Sequence, residues 1–213
     1  MLDLILPLRC GGCGAPSTGW CGCCARDLEV GADQPGLITP RLDPGVPVFS
    51  LGRYAGARRR ALIEVKERGR ADLVAPLAGA LRAGLEHLVR WGLVDVPVTL
   101  VPAPTRRSAA RRRGGDPVTA MAVAAALDDP RMTVVAALRM RWAVRDSVGL
   151  SPADRQRNVA GRVRVHRSAP ARCAGEVIVV DDIVTTGATA SESVRCLQTA
   201  GVRVAAVLAV ANA

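Results

Sequence analysis

The sequence predicts an α/β fold, a parallel sheet with helices on both faces, preceded by a small cysteine-rich segment. Three observations carry this. From about residue 46 onward, short apolar runs alternate with helical Leu/Ala patterns. The runs are continuously apolar, as in Val177 to Val180, which marks strands buried on both faces. Cys10, Cys13, Cys21, Cys23 and Cys24 crowd the N-terminus, while Cys173 and Cys196 stand alone.

The first segment, residues 1–30, holds C-x2-C, a short spacer and a second C-x2-C. Four thiolates at Cys10, Cys13, Cys21 and Cys24 can close a tetrahedral zinc site, and four sulfurs leave no open position, so the role predicted is structural. Cys23 is an alternative to Cys24 as fourth ligand. Residues 31–45 are rich in Pro and Gly without periodicity and read as a linker.

Residues 46–213 form the main domain. "VPVFSLGRYAG" reads as a strand ending in a turn, and "ARRRALIEVKERGR" as a helix stopped by Gly69. "ADLVAPLAGALRAGLEHLVRWG" has helical spacing and closes at Gly92. "VPVTLVPAP" is a strand broken by Pro102 and Pro104. "DPVTAMAVAAAL" opens a helix on Asp116 with Pro117 at its first position, and "SPADRQRNVAGRV" repeats that signal. "MTVVAALRM", "GEVIVVDDIV" and "VRVAAVLAVA" read as strands, and "TASESVRCLQTAG" as a helix stopped by Gly201.

Composition bounds the function. The chain has 213 residues, 49% of them hydrophobic, enough for a core. No apolar run reaches the roughly 18 residues of a membrane span. The opening "MLDLILPLRC" carries Asp3 and no basic n-region, so a soluble, cytoplasmic chain without membrane insertion is expected. The formal charge is +10, and Lys66 is the sole lysine. That balance suits nucleic acid, phosphorylated metabolites or an acidic partner. Compositional bias toward Arg accounts for it equally.

The densest chemistry lies in "VIVVDDIVTTGATAS" (177–191). Asp181 and Asp182 are expected to emerge at the carboxyl end of a buried strand, where open parallel sheets bind ligands. Adjacent carboxylates there need a cation or hydroxyls to meet them. Thr185, Thr186, Gly187, Ala188 and Thr189 then supply hydroxyls, close backbone approach and a helix N-terminus, which together suit phosphate. A sugar phosphate with vicinal hydroxyls satisfies both halves. A Walker A loop is excluded, because Lys66 lies far from this glycine.

This stretch resembles the phosphoribosyl-diphosphate (PRPP) motif of type I phosphoribosyltransferases. Other segments match one branch in order. They are the four-Cys knuckle, Tyr54-x-Gly56, Lys66-x-x-Gly69, Val101 to Pro104 with its basic run, and Gly149, Leu150, Arg155, Arg157 and Asn158. Across nearly its whole length the chain resembles the ComF family, competence-associated phosphoribosyltransferase-like proteins. It departs from the family pattern at Gly115, Asp116 and Pro117, and at Val148 and Gly149, on the presumed acceptor side.

The resemblance implies a type I phosphoribosyltransferase-like sheet. It implies that Asp181 and Asp182 hold the ribose hydroxyls, directly or through magnesium, and that residues 185–189 hold the 5-phosphate. Pro102, Ala103 and Pro104 would receive diphosphate, with Arg106 neutralising its charge, and Lys66 and Arg155 would also reach phosphate. For Lys66 and the arginines, a solvated surface role competes with these readings. Trp142 reads as core before base-stacking, and His87 and His166 read as structural. The implied function is binding of PRPP or a phosphoribosyl ligand in support of DNA uptake or single-strand processing. The implied partners are single-stranded DNA, a DNA-uptake helicase or other competence protein, and a second copy as a homodimer. An active salvage phosphoribosyltransferase and a PRPP-sensing regulator are the alternatives.

Overall fold

The computed structural model describes residues 8–105, 115–141 and 161–213. In chain order these form α1 (Gly22–Leu28), β1 (Gly36–Ile38), β2 (Val48–Ser50), α2 (Gly56–Arg68), α3 (Val74–Arg90), β3 (Val98–Pro102) and α4 (Pro117–Ala126). There follow β4 (Met132–Val134), β5 (Leu138–Met140), β6 (Val163–Val165), β7 (Glu176–Val184), α5 (Ala188–Thr199) and β8 (Val204–Asn212). Six strands pair in the order β1-β2-β8-β7-β3-β4, all parallel except β1 against β2. β5 and β6 form a separate antiparallel pair.

Both faces of the sheet are covered, as the continuous apolar runs require. Ile178 and Val180 of β7 and Leu208 of β8 pack with Leu62, Leu77, Leu81 and Met121 from α2, α3 and α4. Val177, Val179 and Val207 face the other way, onto Val194 and Leu197 of α5 and Leu138 and Val163 of the β5–β6 pair. Ile178, Leu81, Leu197 and Leu208 are fully buried.

The punctuation works as the sequence implies. Gly69 ends α2 in the left-handed conformation (φ 66°). Asp116 caps α4, accepting from the Val118 N–H at 3.3 Å, with Pro117 at the first helical position.

Three expectations change. The predicted linker 31–45 contains β1, which adds an antiparallel edge to β2. The predicted single strand over 132–140 is two. After Val135 N–H bonds to the Leu100 carbonyl (2.9 Å), Ala137 N–H turns back to Val135 (2.7 Å), and the chain leaves the sheet to pair with β6. Pro102 does not break its strand. It is the last residue of β3, where its missing N–H is harmless, and the Ala103 N–H carries the ladder on to the Val180 carbonyl at 2.7 Å.

Ile178 lies in a central strand between two packed layers, so its truncation leaves a cavity that neither layer can fill. Urea unfolding of Ile178→Ala is expected to show a loss of about 2–5 kcal/mol.

Candidate functional site

The sheet register gathers the predicted residues at one edge. Pro102 of β3 lies opposite Val180, Asp181 lies opposite Ala209 of β8, and Ala209 lies opposite Ser50 of β2. The Pro102-Ala103-Pro104 turn, the acidic pair and the loop into α5 therefore share the carboxyl edge of neighbouring parallel strands, where such sheets offer a crevice.

The acidic residues are not at the strand's end, as the sequence suggested. β7 continues through Ile183 and Val184, and both aspartates are buried. Val180 and Ile183 pack toward α2–α4, whereas Val179 and Val184 pack toward α5. The in–out alternation of an extended strand thus slips by one residue across Asp181–Asp182.

Lys66 meets the pair. Its Nζ lies 2.7 Å from Asp182 Oδ2, with the lysine side chain 31% exposed and that of Asp182 9%. The Asp182 N–H donates to Asp181 Oδ1 at 2.8 Å. Burial alone would depress the Lys66 pKa, but the charge and hydrogen bond of Asp182, with Asp181 behind, outweigh it and raise the value. Burial, and then the charge of Asp182, push Asp181 well above the usual carboxylate range, against the pull of Lys66. A hard cation needs ionised oxygens. Asp182 Oδ2 is already paired with an ammonium and both aspartates are buried, so the pair alone offers no open face to a resident magnesium.

The loop beyond is fixed from the predicted linker. Leu42 N–H donates to the Thr186 carbonyl at 2.9 Å. Gly187 has φ 81°, and a Cβ there would lie 2.5 Å from the Leu42 carbonyl oxygen and 2.8 Å from Pro40. Only glycine fits this contact. Thr186 Oγ1 accepts from the Ala188 N–H at 3.4 Å, while Thr185 is exposed and Thr189 half-buried at the start of α5. The linker is held in turn by His87, whose Nδ1–H donates to the Gln34 carbonyl at 2.6 Å.

A cavity of about 330 Å³ opens beside this edge, lined by Pro102 to Thr105, Asp116, Thr119, Leu138 and Arg139 among others. The Asp116 carboxylate is already occupied, accepting from the Thr105 and Thr119 hydroxyls at 2.6 Å each. Arg106, Arg155, Arg157, Asn158, Trp142, Gly149 and Leu150 lie outside the described residues.

A second centre lies in the N-terminal segment. The sulfurs of Cys10, Cys13, Cys21 and Cys24 all lie within 4.8 Å of one another, and Cys13 and Cys21 are 3.6 Å apart. Tetrahedral zinc with bonds of about 2.3 Å requires sulfurs about 3.8 Å apart, so the set can hold a metal such as zinc. Cys23 stands outside the cluster, exposed, with its sulfur 3.4 Å from Arg26. The fourth member is therefore Cys24. Burial would raise the Cys10 thiol, but backbone hydrogen bonds from residues 12, 13 and 21 outweigh it and bring the pKa to about 6. Burial and the neighbouring thiols push Cys24 up.

No protein-family model matches this chain, and no curated protein matches it. Among the described residues no helix is long and apolar enough to cross a membrane. Sequence reasoning missed Leu42 and Pro40 as supports of the loop, since proline-rich linkers carry no signal of what they touch. It also missed Asp27, which caps α2 from the cysteine segment (Ala57 N–H to Oδ2, 2.9 Å).

Two measurements follow from this chemistry. Freshly purified protein is expected to carry about one zinc per chain, and chelation is expected to lower its melting temperature. For Asp181, a raised folded-state pKa gives stability that is complete below the unfolded value of 3.8 and is lost as pH rises through the folded value. Asp181→Asn removes that loss. Its stability advantage over wild type is expected to grow as pH rises from the unfolded value of 3.8 until the folded value is passed, read by chemical denaturation.

Proposed function

We propose that the chain is a type I phosphoribosyltransferase-like protein of the ComF kind that binds PRPP or a related phosphoribosyl ligand. The observation that carries this reading is the meeting, at one sheet edge, of the buried Asp181–Asp182 pair with Lys66 and the Gly187 loop opening α5. In this reading the carboxylates accept hydrogen bonds from the ribose hydroxyls. Thr185, Thr186 and Thr189 and the free N–H groups at the start of α5 hold the 5-phosphate. The Pro102-Ala103-Pro104 turn lies where the diphosphate would rest, with Arg106 and Arg155 assigned to its charge.

Lys66 balances one carboxylate before ligand arrives and can shift toward phosphate when sugar hydroxyls take its place at Asp182. Were magnesium to take part, it would come with the ligand's own oxygens and would supply charge neutralisation at the diphosphate, since Lys66 already holds Asp182. Cleavage of the glycosidic bond would proceed through an oxocarbenium-like ribosyl centre, which the carboxylates stabilise electrostatically. In the same reading zinc in the Cys10–Cys24 segment is structural. The +10 charge supports contact with single-stranded DNA, and with it the proposed role in DNA uptake or single-strand processing beside a helicase or other competence protein, in a cytoplasmic, homodimeric form.

The cavity beside Pro102 to Thr105 favours a second reading, an active transferase in nucleotide salvage with an acceptor base in that space. The engagement of Asp116 by two threonines favours a third, a PRPP sensor without turnover, since among the described residues lining that cavity it leaves no free carboxylate to activate an acceptor. Diphosphate release with one particular base separates these.

The test is titration calorimetry with magnesium-PRPP on wild type, Asp181→Asn and Asp182→Asn. Each substitution is expected to weaken binding at least about tenfold, on the order of 1.4 kcal/mol. Equal affinity in all three proteins would refute the assignment.

A further inference from the structure

Helix α2 carries Lys66, but its own N-cap residue, Ala55, offers no side-chain acceptor. The cap comes from the cysteine segment instead. Asp27, in α1, accepts the Ala57 N–H at 2.9 Å and sets a negative charge on the positive end of the helix. Gly56 permits this approach. It has φ 53°, and a Cβ there would lie 2.8 Å from Asp27 Oδ2.

Asp27 also faces Arg58, a buried guanidinium whose Nε has no partner and for which Asp27 is the opposing charge. Further contacts tie the same two parts. Ala57 packs against Cys10 and Cys24. Arg60 donates to the Gly12 carbonyl at 3.2 Å. Beyond the other end of α2, Arg70 donates to the carbonyls of Arg9 and Gly19 at 3.1 and 3.4 Å. The loops that carry the cysteines thus grip α2 at both ends, and Lys66 of the same helix pairs with Asp182.

We propose that the four-cysteine segment is a positioning element for Lys66, and that Asp27 is the positioning residue through which it sets that ammonium against Asp182. Asp27 touches neither the acidic pair nor the sulfurs; it acts through the helix. The consequence for ligand affinity rests on the phosphoribosyl reading above. The consequence for the ion pair does not.

Lys66 is the only lysine, so amine acetylation of its peptide, followed by mass spectrometry, reads this one pair. The experiment uses the full, zinc-loaded chain, with Asp182→Asn setting the rate for a released lysine. In Asp27→Ala, Lys66 is expected to label about threefold faster or more, toward that reference, with zinc retained. Asp27→Asn keeps a capping oxygen and is expected to restore the rate to within about twofold of wild type. A role of Asp27 in bulk stability alone would not track the capping oxygen in this way.

Magnesium-PRPP affinity of Asp27→Ala is expected to fall about threefold or more. If wild type binds no PRPP, the functional reading fails while the labelling rates still decide this inference. Unchanged Lys66 labelling in Asp27→Ala overturns it, whether or not zinc is kept. Should Asp27→Ala not fold, chelation of the wild type gives the same reading: faster labelling of Lys66 supports the inference, and undiminished protection overturns it.

Discussion

Two carboxylates are buried side by side in the central strand of a parallel sheet, and one ammonium answers them. That imbalance is the constraint around which the carboxyl edge is built. A charge taken from water must be paired, hydrogen-bonded or neutralised. Asp182 takes the first course with Lys66, and Asp181 takes the second, accepting the Asp182 N–H, while burial raises its pKa. The lysine must be brought to this spot by a helix of its own, and that helix must be held in place.

The N-terminal third of the chain contacts the acidic edge along two routes. One runs from the cysteine cluster through α1 and Asp27 into α2 and ends at Lys66. The other runs from Gln34, pinned by His87, through Pro40 and Leu42 onto Thr186 and Gly187. The segments that read as an accessory knuckle and a featureless linker therefore support opposite sides of one site.

The fold was legible wherever periodicity and punctuation agreed. Gly69, Asp116 and Pro117 marked helix ends that the structure keeps, and the apolar run before Asp181 marked a buried central strand. Legibility failed where a local pattern was overridden by distant partners. The run 132–140 is mostly apolar, but after Val135 the chain turns out of the sheet and residues 138–140 pair with β6. β1 has no strand signature and exists because β2 offers an unpaired edge. In the site, residue types announced their chemistry, whereas the ion pair did not: Lys66 and Asp182 are far apart in sequence, and nothing in spacing alone says that one lysine of a helix turns toward an acid. The choice of Cys24 over Cys23 was likewise a matter of which sulfur faces inward.

β8, near the end of the described chain, inserts between β2, near its beginning, and β7. Until it arrives, β2 has no parallel neighbour, and its partner Val207 is almost the whole domain away from Val48. Closure of the sheet is therefore a late, long-range event in folding, of the kind whose loop entropy slows the search. In any molecule whose β8 is not yet docked, β2 and β7 would each present an unsatisfied flank. Nascent or heat-stressed molecules would be most vulnerable there, to joining one another strand by strand.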